Sequence, residues 1–401
     1  MILVNSLRKV INNCTSTKII QNKNRTSLYG SLKVLLLSTK ASSTLQHDEK
    51  EKFLEVFPEV VSSIVRRNEK FSSFPGIGNF TEELLKYNSA GGNKTRGLMA
   101  VHAYRMLADD ADITEESMKQ ARILGWYLEL WQTALMLVDD IIDGSSTRRG
   151  SVCWYRLPHV GTRAINDSFI FLSLLCDNAK HNFGNETWYP RFLDYFNEAV
   201  LLYTYGNHMD YMLLRKHDLF TMSNYNTMAS SKMSFYTFKL PIYSALLLAN
   251  KPHEDAFRTI EDIVADMGTL IMMQNDFLDS FGDEAVSGKI GSDIQEGKIS
   301  WLSVTALQRC DEAQREEFIA NYGRADDACV QRIKQLYREL QIPRLYHEEE
   351  RACYENIIAR IQALPFDNAI PSPVLIKLLD MVFYMQSKPC RKLVKISKYL
   401  N

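Results

Sequence analysis

The sequence predicts an all-α protein, one large helical bundle with its active site between core helices. Three observations carry this. Apolar residues recur at three- and four-residue spacing, as at Leu124, Tyr127, Leu128, Trp131, Leu135 and Val138, and again at Ile263, Met267 and Ile271. Alternating strand patterns bounded by turn signals are scarce. Only 18 glycines and 11 prolines punctuate 401 residues, and many gather between apolar stretches, as in GGN at 91–93 and SGKIGSD at 287–293. Residues 48–401 then form a single domain; that is long for one core, so a two-domain split stays open.

The leader differs from the rest. Residues 1–47 hold basic, Ser, Thr and Asn side chains and no acidic residue before Asp48. A basic, hydroxyl-rich, acid-free stretch predicts a mitochondrial transit peptide, with a disordered basic tail in the cytoplasm as the bland alternative. The formal net charge of -1 gives no footprint for nucleic acid. No run of 18 apolar residues predicts a transmembrane helix. The 7 cysteines are scattered without a CxxC pair, which predicts reduced thiols and no zinc site.

Two acidic stretches carry the chemistry. LVDDIIDGS at 137–145 places Asp139 and Asp143 on one helix face, with Asp140 beside them. Leu135 and Trp131 continue that face as an apolar stripe. MMQNDFLDS at 272–280 places Asn275 and Asp279 on one face, extended to Asp283 if the helix persists, above Ile271, Met267 and Ile263. Two such helices side by side frame a greasy pocket with a charged mouth. Close carboxylates repel unless a cation sits between them, and hard oxygens suit Mg²⁺, which completes its shell with phosphate oxygens. Gly144 is placed to end the first helix. Arg148 and Arg149 follow with forked donors for those phosphates. The bland reading is a solvated acidic helix end before a basic loop. A second acidic stretch on a similar apolar stripe argues against it.

These stretches belong to a longer set of motifs. YNSAGGNKTRG at 87–97, GWYLELWQ at 125–132, DDIIDGSSTRRGSVCWY at 139–155, SKMSFYTFKLPI at 231–242 and QNDFLDSFGDEAVSGKIGSDIQEGKISWL at 274–302 resemble the isoprenyl diphosphate synthases, most closely the farnesyl diphosphate synthases. The resemblance covers nearly all of residues 50–401. It implies the isoprenoid synthase fold, a homodimer, a prenyl diphosphate substrate and Mg²⁺, three ions with bound diphosphate. It implies that Asp139, Asp140 and Asp143, with Asn275, Asp276 and Asp279, hold metal. It implies that Arg148, Lys232, Lys289 and Lys298 hold the allylic diphosphate, and that Arg96, Gln132 and Arg149 hold isopentenyl diphosphate.

The departures from the family pattern gather at the second substrate. The lysine that follows the glycine pair is Asn93, and the neighbouring Lys94 starts about 100° away around a helix. Polar contact positions become Met233 and Met272, and a glutamine becomes Asn207. The aromatics four and five residues before the first acidic motif are Leu135 and Ala134, which predicts a deeper tail pocket. Ionisation therefore reads as intact and condensation as weakened. The resulting expectation is a terpene synthase, similar to insect terpene synthases derived from this family. It would turn a farnesyl diphosphate isomer into a sesquiterpene hydrocarbon or alcohol. The alternative is a prenyltransferase making geranyl, farnesyl or geranylgeranyl diphosphate. A third reading, a non-catalytic subunit, has no use for the full ionisation set.

Overall fold

The computed structural model describes residues 48–67, 71, 73–251, 255–282 and 291–394, with side chains as far as 383. The leader, Asp283 and Lys289 lie outside the described residues. The chain groups into two compact units, 1–54 and 55–401. Of the first, residues 48–54 are described, and they are helical. The second carries everything below.

That unit is helical almost throughout, as expected. Its helices are α1 (55–67), α2 Ile77–Ser89, α3 Thr95–Leu107, α4 Glu115–Ile142, α5 Ala164–Phe183, α6 Tyr189–Leu213, α7 Met222–Ser234, α8 Leu240–Leu248, α9 Glu261–Phe281, the short α10 Asp293–Glu296, α11 Trp301–Arg309, α12 Glu312–Asn321, α13 Asp327–Glu339, α14 Ile342–Gln362 and α15 Ser372–Val394. The sheet among the described residues is one hairpin, β1 Thr147–Arg148 paired antiparallel with β2 Ser151–Val152. Its two-residue turn is Arg149–Gly150, with φ of 54° and 80°. Positive φ at both positions matches the twist of a tight hairpin.

Helix α4 is the centre of the fold, lying against α3 and α5. Thr114 caps it: its hydroxyl accepts from the Ser117 amide while the Ser117 hydroxyl accepts from the Thr114 amide. Every residue from Leu124 to Trp131 is buried. The spacing predicted an apolar stripe; over these eight residues the helix is instead enclosed on all sides, as expected where it runs through a core. Each fully buried large side chain here contributes about 1.5–3 kcal/mol. The helix ends at Asp143, and Gly144 follows with φ 61°, as its position predicted.

Between α7 and α8 the chain widens into a single π-turn, Phe235–Lys239, with the Leu240 amide donating to the Phe235 carbonyl five residues back. Pro241 explains it. Proline has no N–H and its ring crowds the carbonyl four residues earlier, so the ladder must loosen just before it. Two glycines hold α7 close to its neighbours. A Cβ at Gly206 on α6 would lie 2.8 Å from the Lys232 nitrogen, and one at Gly268 on α9 would lie 2.1 Å from Ser234 Oγ. Lys232 and the π-turn are thereby fixed against α6 and α9.

Candidate active site

A cavity of about 690 Å³ opens between α3, α4, α6, α7 and α9. Its mouth is acidic and basic together. Asp139 and Asp143 face it from the end of α4, Asp210 from α6, Asn275 from α9, and Lys232, Arg148 and Lys298 surround them. Each cation is paired. Arg148 Nε donates to Asp140 Oδ1 at 2.7 Å. Lys232 Nζ donates to Asp210 Oδ2 at 3.0 Å. Lys298 Nζ lies 3.0 Å from both Asp143 and Glu296. Burial opposes the charge on Lys232 and Lys298, but the surrounding carboxylates outweigh it and hold both lysine pKa values above the ordinary range. The Asp139 pKa is also raised, which here disfavours its charge: burial and the neighbouring Asp143 raise it, against the pull of Lys232.

These residues fit Mg²⁺ bound with a diphosphate. Asp139 and Asp143 share one face, and Asp210 Oδ1 is buried without a hydrogen-bond donor among the described residues. Among the described residues no three ligating side chains converge closely enough to hold an ion by themselves. Mg²⁺ commonly takes one or two carboxylates and fills its shell with phosphate and water, so this is the expected division. When bound, it supplies Lewis-acid stabilisation of a departing diphosphate.

The cavity lining also holds a second basic group. Arg96 donates to Gln132 Oε1 at 2.8 Å, to the Tyr236 hydroxyl at 2.8 Å and to Thr237 Oγ1 at 3.0 Å. Its guanidinium also stands 4.2 Å from the Tyr236 ring centre. The π-turn is what brings Tyr236 and Thr237 to it. Arg149 donates to the Asn88 carbonyl at 2.8 Å and to Thr133 Oγ1 at 3.2 Å. It packs on the glycine pair, where a Cβ at Gly92 would lie 3.0 Å from Arg149 Nε. Burial lowers the Arg149 pKa, and Arg148 and Arg96 add to that.

The structure brings together Asp139, Asp143, Arg148, Arg149, Lys232, Lys298, Arg96, Gln132, Met233, Met272, Asn275 and Asp276 around this cavity. Several expectations need correction. Asp140 is buried against Arg148 and does not line the cavity. Asp276 touches the cavity, but its Oδ2 accepts from the Trp301 amide at 2.9 Å, and burial raises its pKa to about 7. Asp279 Oδ1 accepts from the Asp293 amide at 2.9 Å and is off the lining. The second acidic stretch therefore directs two carboxylates to the starts of α11 and α10. Ala134 and Leu135 are not lining residues either; Ala134 is fully buried and its carbonyl accepts from Ser168 Oγ. Lys94 does not replace the missing lysine. Its ammonium donates to the Ser89 carbonyl at 2.8 Å and to the Gly91 carbonyl, beside the Trp126 ring.

Sequence reasoning missed Asp210, Tyr203 and Thr237. The first two had a signal. Tyr203, Asn207 and Asp210 repeat at four and three residues, so one face of α6 carries all three. Thr237 had none, because its direction depends on the π-turn.

Comparison with known proteins gives a consistent answer. The sequence profile of the polyprenyl synthetase family matches residues 79–340. The farnesyl pyrophosphate synthase of Murgantia histrionica is 35% identical over 344 residues, 85% of this chain and 83% of that protein. That of Nezara viridula is 36% identical over the same shares. The mitochondrial farnesyl pyrophosphate synthase 1 of Arabidopsis thaliana is 34% identical over 80% of this chain and 84% of its own. A solved T. brucei farnesyl diphosphate synthase complexed with risedronate superposes with a TM-score of 0.76 at 28% identity, over 85% of this chain and 98% of that one.

Proposed function

The chain belongs to the polyprenyl synthetase family, and on that premise we propose that it is a Mg²⁺-dependent prenyltransferase joining an allylic prenyl diphosphate to isopentenyl diphosphate. The observation that carries this is one cavity lined by two basic groups that have separate partners. Lys232, Lys298 and Arg148 stand among the carboxylates; Arg96 and Arg149 stand apart with Gln132. Two anchors suit two diphosphates. The allylic diphosphate would bind with Mg²⁺ at the acidic mouth, where Lys232, Lys298 and Arg148 can exchange carboxylate partners for phosphate oxygens. As the allylic C–O bond breaks, charge moves onto the diphosphate, and these fixed cations stabilise it. The Tyr236 ring and the enclosed walls keep water from the cation. Arg96 and Arg149 hold the second diphosphate so that its double bond faces the cation.

The terpene synthase expectation becomes the second reading, because the named relatives support condensation. One specific observation still favours it. Position 93 is Asn, and the Lys94 ammonium is committed to two backbone carbonyls. The second anchor thus works with two arginines and no lysine from the glycine turn. Asn93→Lys is expected to lower the isopentenyl diphosphate KM by roughly tenfold or more, since a charge-assisted hydrogen bond contributes about 1.5–3 kcal/mol. Steady-state kinetics with both substrates checks it. An unchanged KM, with volatile hydrocarbons or alcohols formed from farnesyl diphosphate alone, moves the assignment to the second reading.

We also propose a homodimer and mitochondrial targeting. One face of α5 exposes Ile165 and Phe169, and one face of α6 exposes Leu201, Tyr205 and Met212. Exposed apolar faces of this kind mark interaction surfaces. Sedimentation velocity at micromolar concentration decides between monomer and dimer. For the leader, the support is its acid-free basic composition and the Arabidopsis relative. A fluorescent protein fused behind residues 1–47 should enter mitochondria; a diffuse signal contradicts this.

A further inference from the structure

The two positions expected to bound the prenyl tail, Ala134 and Leu135, do not line the cavity, so its wall is set by other residues. Its apolar lining includes two aromatic rings, Tyr203 and Tyr236, among aliphatic and thioether side chains such as Met136, Met233, Ile271 and Met272. Tyr203 lines the cavity and is 3% exposed. It stands one helical turn before Asn207, whose amide reaches Asp139 Oδ1 at 3.5 Å, and two turns before Asp210. The face of α6 that serves the mouth therefore carries this ring directly beneath it.

The ring is held by its neighbours, Trp131 off the lining and Tyr236 on it. Trp131 meets it edge-on at 6.0 Å and 69°, and Tyr236 at 5.3 Å and 81°. Trp131 and Tyr236 meet each other at 5.3 Å, and Phe196 meets Trp131 at 6.0 Å and 71°. Interlocked rings in a packed core do not swing aside for a ligand. Ala134 is fully buried and off the lining, so its small size does not by itself widen the cavity.

We propose that the Tyr203 ring sets the longest prenyl tail the cavity accepts. This rests on the prenyl diphosphate reading above and names the specificity-determining residue within it. The ring acts by volume, so its hydroxyl is dispensable for the effect.

The test measures binding and needs no turnover. Dissociation constants are determined with Mg²⁺ for non-ionising thiolo-diphosphate analogues carrying ten-, fifteen- and twenty-carbon prenyl tails. In the wild type, affinity should fall at the longer tails. Tyr203→Ala should reduce the ratio of the twenty-carbon to the ten-carbon constant at least tenfold. Tyr203→Phe should leave that ratio unchanged, and so should Leu135→Ala, which is off the wall. Retained ten-carbon affinity shows that each variant is folded; if Tyr203→Ala fails to fold, Tyr203→Leu is the second variant, with the same shift expected. An unchanged ratio in a folded Tyr203→Ala or Tyr203→Leu variant overturns the proposal while leaving the family function intact. Failure of every analogue to bind the wild type overturns the prenyl diphosphate reading itself.

Discussion

Asp139→Ala is expected to lower kcat/KM for the allylic substrate by about 10³-fold or more. Asp139 and Asp143, at the end of α4, both face the space where a metal-bound diphosphate would sit. Metal stabilisation of a leaving group is worth several kcal/mol, and each 1.36 kcal/mol is a factor of ten in rate. The stability change should have the opposite sign. Burial and Asp143 already raise the Asp139 pKa, so its charged form is unfavourable in the fold, whereas the unfolded carboxylate has no such penalty. Above the normal carboxylate pKa, removing it should leave stability unchanged or slightly higher. Loss of rate without loss of denaturant midpoint separates a functional carboxylate from a structural one; parallel losses of both would count against the metal role.

Lys232→Met should destabilise the fold by about 3–5 kcal/mol, because removing one partner of a buried pair strands the other charge. The Asp210 side chain is only 3% exposed and the Lys232 side chain 16%, with Nζ and Oδ2 3.0 Å apart. The second Asp210 oxygen has no donor among the described residues. The double variant Lys232→Met with Asp210→Asn should recover most of that loss, since no charge is then left alone. Guanidinium unfolding of the two singles and the double gives the coupling directly. Activity should not recover in the double variant, because Lys232 is placed to meet the departing diphosphate. Additive losses would show that the two groups do not depend on each other.

Much of this architecture was legible in the sequence. The i, i+4 spacing of Asp139 and Asp143 fixed their common face, and Gly144 fixed the helix end. Arg148 and Arg149 follow that helix directly, and the structure sets them in a tight hairpin. What could not be read was which way each group faces once helices pack. Asp276 and Asp279 repeat the acidic pattern, but their oxygens meet the amides of Trp301 and Asp293, which arrive from a later segment. Lys94 turns back on its own glycine loop through a left-handed backbone with φ 56°. The Ala134 carbonyl meets Ser168 of α5, and a ring that lines the cavity, Tyr203, comes from α6. The Asp276 and Asp279 misses are tertiary contacts with a later segment, which helical spacing does not encode, and the Lys94 miss is a local left-handed turn.

The central claim is that one cavity holds two diphosphates and couples ionisation to condensation. Inorganic diphosphate release from an allylic diphosphate with Mg²⁺, measured with and without isopentenyl diphosphate, tests it most directly. The account predicts release that depends on isopentenyl diphosphate and equals, mole for mole, the elongated prenyl diphosphate formed. Equal release in its absence, accompanied by hydrocarbon or alcohol products and no elongated diphosphate, would contradict it.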